Sequence, residues 1–131
     1  MVARFVDTSY IVALGDAHDE RHEVVARDFV RQAGVELTTH GYVVAETLSL
    51  VRHRLGARVT VRLIDELLPL LDIVVVDREL HEEAMRSFRE AVASNVSFVD
   101  RTSFAFMRAR GITTALALDA DFRTAGFEVL P

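Results

Sequence analysis

Four carboxylates stand where a folded chain can do chemistry with them. Asp7 closes the apolar run Ala3-Arg4-Phe5-Val6 and is followed at once by Thr8 and Ser9. Asp119 closes a second apolar run, Ala115-Leu116-Ala117-Leu118, with Asp121 two residues on. Between them lie Glu46, in Val44-Ala45-Glu46-Thr47, and Asp100, in Val99-Asp100-Arg101-Thr102. Gathered carboxylates repel and raise one another's pKa unless a cation is bound. An all-oxygen donor set selects Mg²⁺ or Mn²⁺ over zinc or copper. Glu46 shares a helix face with Tyr42, Val43 and Leu50, so its charge needs compensation there. Taken singly, each acid also has an ordinary reading: Asp7 and Asp100 as helix N-caps, Asp119 as a turn residue, Glu46 as a surface residue.

Composition narrows the chemistry. The 131 residues suit one domain with a real core, and half of them are hydrophobic. Cysteine is absent, which removes disulfides and thiolate metal sites and suits a reducing, cytoplasmic setting. No apolar run approaches the ~20 residues of a membrane helix, and strand-like residues begin at position 2, so neither a leader nor a membrane partner is expected. The net charge is −5 and all 15 basic residues are arginine. The acidic balance argues against bulk nucleic-acid binding, yet arginine forks can hold phosphate locally. The lack of lysine excludes the P-loop nucleotide site. His18 and His22 have the spacing of a helical zinc pair, but Asp19 follows the first where a metalloprotease needs Glu. Ser9 stands where a haloacid-type phosphatase needs its second Asp.

The elements that must carry the acids follow from periodicity. Strands are expected at 3–6, 35–39, 73–76, 114–118 and 127–130. Helices are expected at 10–14, 20–33, 42–55, 57–71, 80–91 and 100–110, with a helical turn at 121–125. Val44, Leu48, Val51 and Leu55 form the expected core stripe of the third helix, which ends before Gly56. Pro69 ends or kinks the fourth. The β-branched run Ile73-Val74-Val75-Val76 suggests a strand buried on both faces. Alternating strands and helices predict an α/β/α sandwich around a mostly parallel sheet. If the strands ending in Asp7 and Asp119 are neighbours, both acids share the rim where such sheets bind ligands.

Together these segments resemble a PIN domain over residues 1–131, and most closely a VapC-type ribonuclease toxin of a bacterial toxin–antitoxin pair. The carriers are Phe5-Val6-Asp7-Thr8-Ser9, Val44-Ala45-Glu46-Thr47, Ser97 to Phe104, and Leu118-Asp119-Ala120-Asp121-Phe122 with Ala125-Gly126-Phe127. The resemblance implies a Rossmann-like five-stranded sheet of order 3-2-1-4-5. It implies that Asp7, Glu46, Asp100 and Asp119 hold Mg²⁺ or Mn²⁺, supported by Thr8, Ser9 and, second in rank, Asp121. It further implies metal-assisted hydrolysis of an RNA phosphodiester, a cognate antitoxin that neutralises the enzyme, and a homodimer formed through the 42–71 region. Arg101, Arg108 and Arg123 lie near the acids in sequence and are expected to meet RNA; Arg52, Arg54, Arg58 and Arg62 cluster on the middle helices, either as further arginines for RNA or as a solvated face. A housekeeping RNA-processing nuclease and a non-catalytic binding module on the same fold remain as alternatives.

Overall fold

The computed structural model describes residues 2–131. In chain order it contains β1 (Ala3–Val6), α1 (Thr8–Gly15), α2 (His22–Arg31), β2 (Glu36–His40) and α3 (Gly41–Arg62). A π-helical turn (Leu63–Leu67) and a 3-10 turn (Leu68–Leu70) lead to β3 (Asp72–Val74). Then come α4 (Arg78–Glu90), α5 (Phe98–Arg110), β4 (Thr114–Leu116), α6 (Asp121–Thr124) and β5 (Glu128–Leu130). The five strands form one parallel sheet of order β3-β2-β1-β4-β5, the order the resemblance implied. Phe5 and Val6 of β1 pair with Ala115 and Leu116 of β4, so the strands leading to Asp7 and Asp119 are neighbours. From β1 the chain crosses to β2 on one side, and it later returns to β4 on the other. The rim beyond β1 and β4 is therefore the point where strand order reverses.

Phe5 anchors the core. Its ring lies 5.7–5.9 Å from those of His40, Phe106 and Phe122, and all four residues are fully or almost fully buried. Helix α1 packs against both α2 and α3, and α4 packs on α5. No helix among the described residues is long and apolar enough to cross a membrane.

Several local expectations shift. The third and fourth predicted helices are two helices that meet at a kink within α3, and the break falls where predicted: Gly56 takes φ 85°, ψ −179°. That region is essentially restricted to glycine. The expected stripe of α3 packs on the core, with Val51 buried and Val44, Leu48 and Leu55 partly buried, and Val43 and Thr47 are buried beside it, Thr47 hydrogen-bonding Thr8. Pro69 ends the helical path as expected, with Leu71 already extended. The run at 73–76 is not buried on both faces. Only Asp72–Val74 pair in the sheet, at its edge, and Val75 is 83% exposed. Helix α5 begins at Phe98 rather than at Asp100. Ser97 is its N-cap, accepting from the Asp100 amide at 3.0 Å, and Ser97-x-x-Asp100 is a capping pattern visible in the sequence. β4 stops at Leu116, three residues before Asp119.

His40, unassigned by sequence, joins two halves of the fold. Its Nδ1 accepts from the amides of Tyr42 and Val43, capping α3. That lone pair is thereby used, so Nε2 carries the proton and donates to Ser103 Oγ at 2.9 Å. Ser103 in turn donates to the Val99 carbonyl. Burial holds the imidazole neutral and lowers its pKa to about 4. In the unfolded chain it titrates near 6.5, so the stabilisation is complete above that pH and is lost as pH falls toward 4. Denaturant unfolding between pH 7 and pH 4 should show roughly 3 kcal/mol of acid-side loss from this residue. That loss is read as the difference between the wild type and a non-titrating His40→Gln variant, because the buried carboxylates Asp7 and Asp100 titrate in the opposite sense over the same window.

Candidate active site at the sheet rim

The Thr8-Ser9 pair after β1 distributes its hydroxyls between the two elements that flank Asp7. Ser9 Oγ donates to Asp7 Oδ2 at 2.6 Å and accepts from the Leu118 amide at 3.0 Å. One hydroxyl thus fixes the Asp7 carboxylate and holds the segment that carries Asp119. Thr8 Oγ1 donates to the Val43 carbonyl and accepts from Thr47 Oγ1 at 3.1 Å. That bond sets the rotation of α3 and hence of Glu46, the neighbour of Thr47. The His40–Ser103 bond then joins the start of α3 to α5, which carries Asp100.

Asp7 has two occupations at once. Its Oδ2 caps α1 by accepting from the Ser9 amide at 3.1 Å. Its Oδ1 is buried with no hydrogen-bond partner. The cap and the candidate ligand are therefore different oxygens of one carboxylate. Asp100 occupies the first turn of α5, where the helix dipole favours a negative charge. Asp119 Oδ1 accepts from the Asp121 amide at 2.9 Å, which shapes the short turn into α6.

Asp7, Glu46, Asp100, Asp119 and Asp121 all line one open cleft of about 440 Å³ at this rim, with Thr8 and Ser9. The tightest grouping is Asp100, Asp119 and Asp121, each offering a carboxylate oxygen within 4.8 Å of the others. Asp121, ranked second from sequence, is thus a full member of the acidic group. The cleft also takes in Asp19, Asn95 and Ser97, which the sequence did not mark for it, and Arg54, one of the four clustered arginines of the middle helices. Arg54 had a legible signal: Glu46, Leu50 and Arg54 recur every four residues and share one face of α3.

The expected RNA-contacting arginines differ in their surroundings. Arg101 donates to Ser94 and lies close enough to Asp121 to oppose the upward shift of its pKa. Arg108 donates to the Ala125 carbonyl, with its guanidinium 5.3 Å from the Phe127 ring centroid. It clamps α5 to the turn after α6 and does not line the cleft. Arg123 is exposed on α6, also outside the cleft lining. His22 Nδ1 engages the Ala13 carbonyl, and the His18–His22 pair forms no metal group among the described residues.

Electrostatics show what this gathering costs. Burial pushes Asp7 up to about 6, against the lowering effect of its hydrogen bonds from Ser9. Asp100 is pushed up to about 8 by burial and then by the charges of Asp7, Asp119, Glu46 and Asp121. Asp121 is raised by desolvation and by Asp119. A buried, unpartnered Asp7 oxygen, converging carboxylates and an all-oxygen donor set fit a hard divalent cation.

Comparison with known proteins identifies the family and the fold. The family model described as PIN domain matches residues 4–128. The chain is 40% identical over 129 residues to the 23S rRNA-specific endonuclease VapC20 of Mycobacterium tuberculosis, covering 97% of this chain and 98% of that protein. The crystal structure of that VapC20, described as a Sarcin-Ricin loop cleaving toxin, superposes with a TM-score of 0.87 at 38% identity, covering 97% and 98% of the two chains. FitAcB from Neisseria gonorrhoeae shares the fold at 19% identity with a TM-score of 0.74, covering 100% of this chain and 97% of that one.

The raised pKa of Asp100 has a definite sign in stability. Without a cation, the folded state retains a proton that the unfolded state has lost near pH 3.8, so stability falls as pH rises toward about 8. Above pH 6.5 the opposing contribution of His40 is already complete. Thermal melts of the metal-free protein should therefore show Tm falling between pH 6.5 and pH 8.5. Asp100→Asn should raise Tm at the upper end and flatten the slope.

Proposed function

This chain belongs to the PIN-domain family, and from that membership we propose that it is a VapC-type, divalent-metal-dependent endoribonuclease. It forms one catalytic domain over residues 1–131 and acts in the cytoplasm as the toxin of a type II toxin–antitoxin pair. The observation that carries the reading is the convergence of Asp7, Glu46, Asp100, Asp119 and Asp121 on a single cleft at the sheet rim. Their mutual repulsion is relieved most directly by a cation of charge two.

In this reading Asp7, whose Oδ1 is buried without a partner, and Asp100 would hold Mg²⁺ or Mn²⁺, with Glu46, Asp119 and Asp121 completing the donor set. When bound, the ion supplies a water of lowered pKa and a counter-charge for the phosphate oxygens. The chain's own residues do the positioning. Ser9 fixes the Asp7 carboxylate and the Asp119 segment together, and Thr8 with Thr47 orients Glu46. An ion held by Asp100 would need its ionised form, so metal affinity should rise from pH 6 to pH 8. The identity to a 23S rRNA-specific endonuclease supports ribosomal RNA as the substrate class, with the sarcin–ricin stem-loop as the first RNA to test.

The partner reading rests on an apolar groove of about 400 Å³. Ile11, Leu14, Phe29, Val51, Val59 and Leu63 line it, on the α1–α3 side of the molecule. It suits the apolar face of an antitoxin helix, and a basic antitoxin side chain suits the acidic cleft. Exposed Val61, Ile64 and Leu70 support a homodimer contact on the later part of the 42–71 region.

Cleavage of total cellular RNA with Mg²⁺ or Mn²⁺ tests the proposal. Asp7→Asn should lose more than about 100-fold in activity, with an unchanged circular dichroism spectrum. Chelation should abolish wild-type cleavage. Full activity in folded Asp7→Asn would sink the reading.

A further inference from the structure

The cleft poses an electrostatic problem that metal binding alone does not solve. Six carboxylates line it, the five of the acidic group and Asp19, and RNA is a polyanion. A cation at the acidic centre serves the phosphate being cut. The phosphates on either side of it still face a negative wall.

Arg54 is the single cationic side chain among the lining residues. It stands two helical turns from Glu46 on the same face of α3, about 12 Å along the axis at 1.5 Å per residue. Among the described residues it has neither an ion-pair nor a hydrogen-bond partner, and it is exposed. Its neighbours in the arginine series are otherwise disposed. Arg52 is exposed but absent from the cleft lining. Arg62 pairs with Glu66 at 3.2 Å and lines the apolar groove, beyond the break at Gly56. The helix thus delivers one unpaired guanidinium to the cleft and ends its regular course two residues later.

We propose that Arg54 is a substrate-binding residue that holds a backbone phosphate flanking the scissile one, and so sets the path of the RNA strand along α3. The inference rests on the ribonuclease reading above. A guanidinium fork matches phosphate geometry, and a phosphate contact fixes register without reading base identity. The contact is made equally in ground and transition states, so it acts on KM and leaves kcat in place.

The test uses the full-length protein and a fluorescently labelled RNA stem-loop carrying the sarcin–ricin sequence. Cleavage is followed with Mg²⁺ or Mn²⁺, and binding is measured against salt concentration in the Asp7→Asn background. Arg54→Gln should raise KM about tenfold with kcat within about twofold. It should also reduce the slope of log affinity against log salt by about 0.7, the loss of one phosphate contact to a single strand. Arg54→Lys should recover part of the affinity. Arg52→Gln removes the same charge from outside the cleft and controls for net charge, so it should change both quantities little. The proposal fails if Arg54→Gln matches Arg52→Gln in KM and salt slope, or if it lowers kcat with KM unchanged. Failure of the wild type to cut any RNA with either metal would instead overturn the ribonuclease reading, and this inference with it.

Discussion

Five carboxylates held at one rim repel one another, and the structure around them is organised to resist that repulsion. The restraint comes from hydroxyl groups rather than from opposing charges. Among the described residues the only side-chain ion pair is Arg62–Glu66, on the surface and away from the acids. Ser9, Thr8, Thr47 and Ser103 instead tie β1, α3, α5 and the segment after β4 to one another by hydrogen bonds. A hydroxyl both donates and accepts, so one small side chain can link two elements without introducing a charge that would neutralise the site. The acids stay close and remain short of counter-charge.

The same economy explains why the site weakens the fold that carries it. Burial and neighbouring carboxylates raise Asp7 and Asp100 above the ordinary carboxylate range, so their ionised forms are disfavoured there. Functional sites commonly trade stability for pre-organisation. Here the compensation lies nearby, in the ring cluster around Phe5 and in the neutral, fully used imidazole of His40. Asp7 links the two demands, because one oxygen completes the cap of α1 and the other remains free of partners. The capping and ligand readings of that residue, alternatives in the sequence, are compatible in three dimensions.

Much of the architecture was legible because it depends on local pattern. Strand and helix alternation, the breaks at Gly56 and Pro69, and the four main acids all follow from residue type and spacing. Errors arose where burial, rather than pattern, decided. Ile73-Val74-Val75-Val76 looks like an interior strand, but strand order puts β3 at the edge and leaves Val75 exposed. The core-facing side of α3 is wider than its apolar stripe, because Thr47, a polar residue, is buried through its hydroxyl partner on α1. Ser97 was overlooked as a cap because Asp100 is an equally good capping type, and only the amide geometry separates them.

By itself the sequence determined the chemical inventory: an oxygen-only donor set, no lysine, no cysteine, and acids at the ends of apolar runs. These are properties of residue type and short-range order, which need no fold to be read. Only the tertiary structure decided which residues meet. It brought β1 beside β4, so that Asp7 and Asp119 share a rim across more than a hundred residues of chain. It raised Asp121 to equal standing with Asp119, engaged Arg108 in packing, and brought Arg54 to the cleft. The reason is that charge repulsion, desolvation and hydrogen bonding act over a few ångströms of space, and separation along the chain says little about distance there.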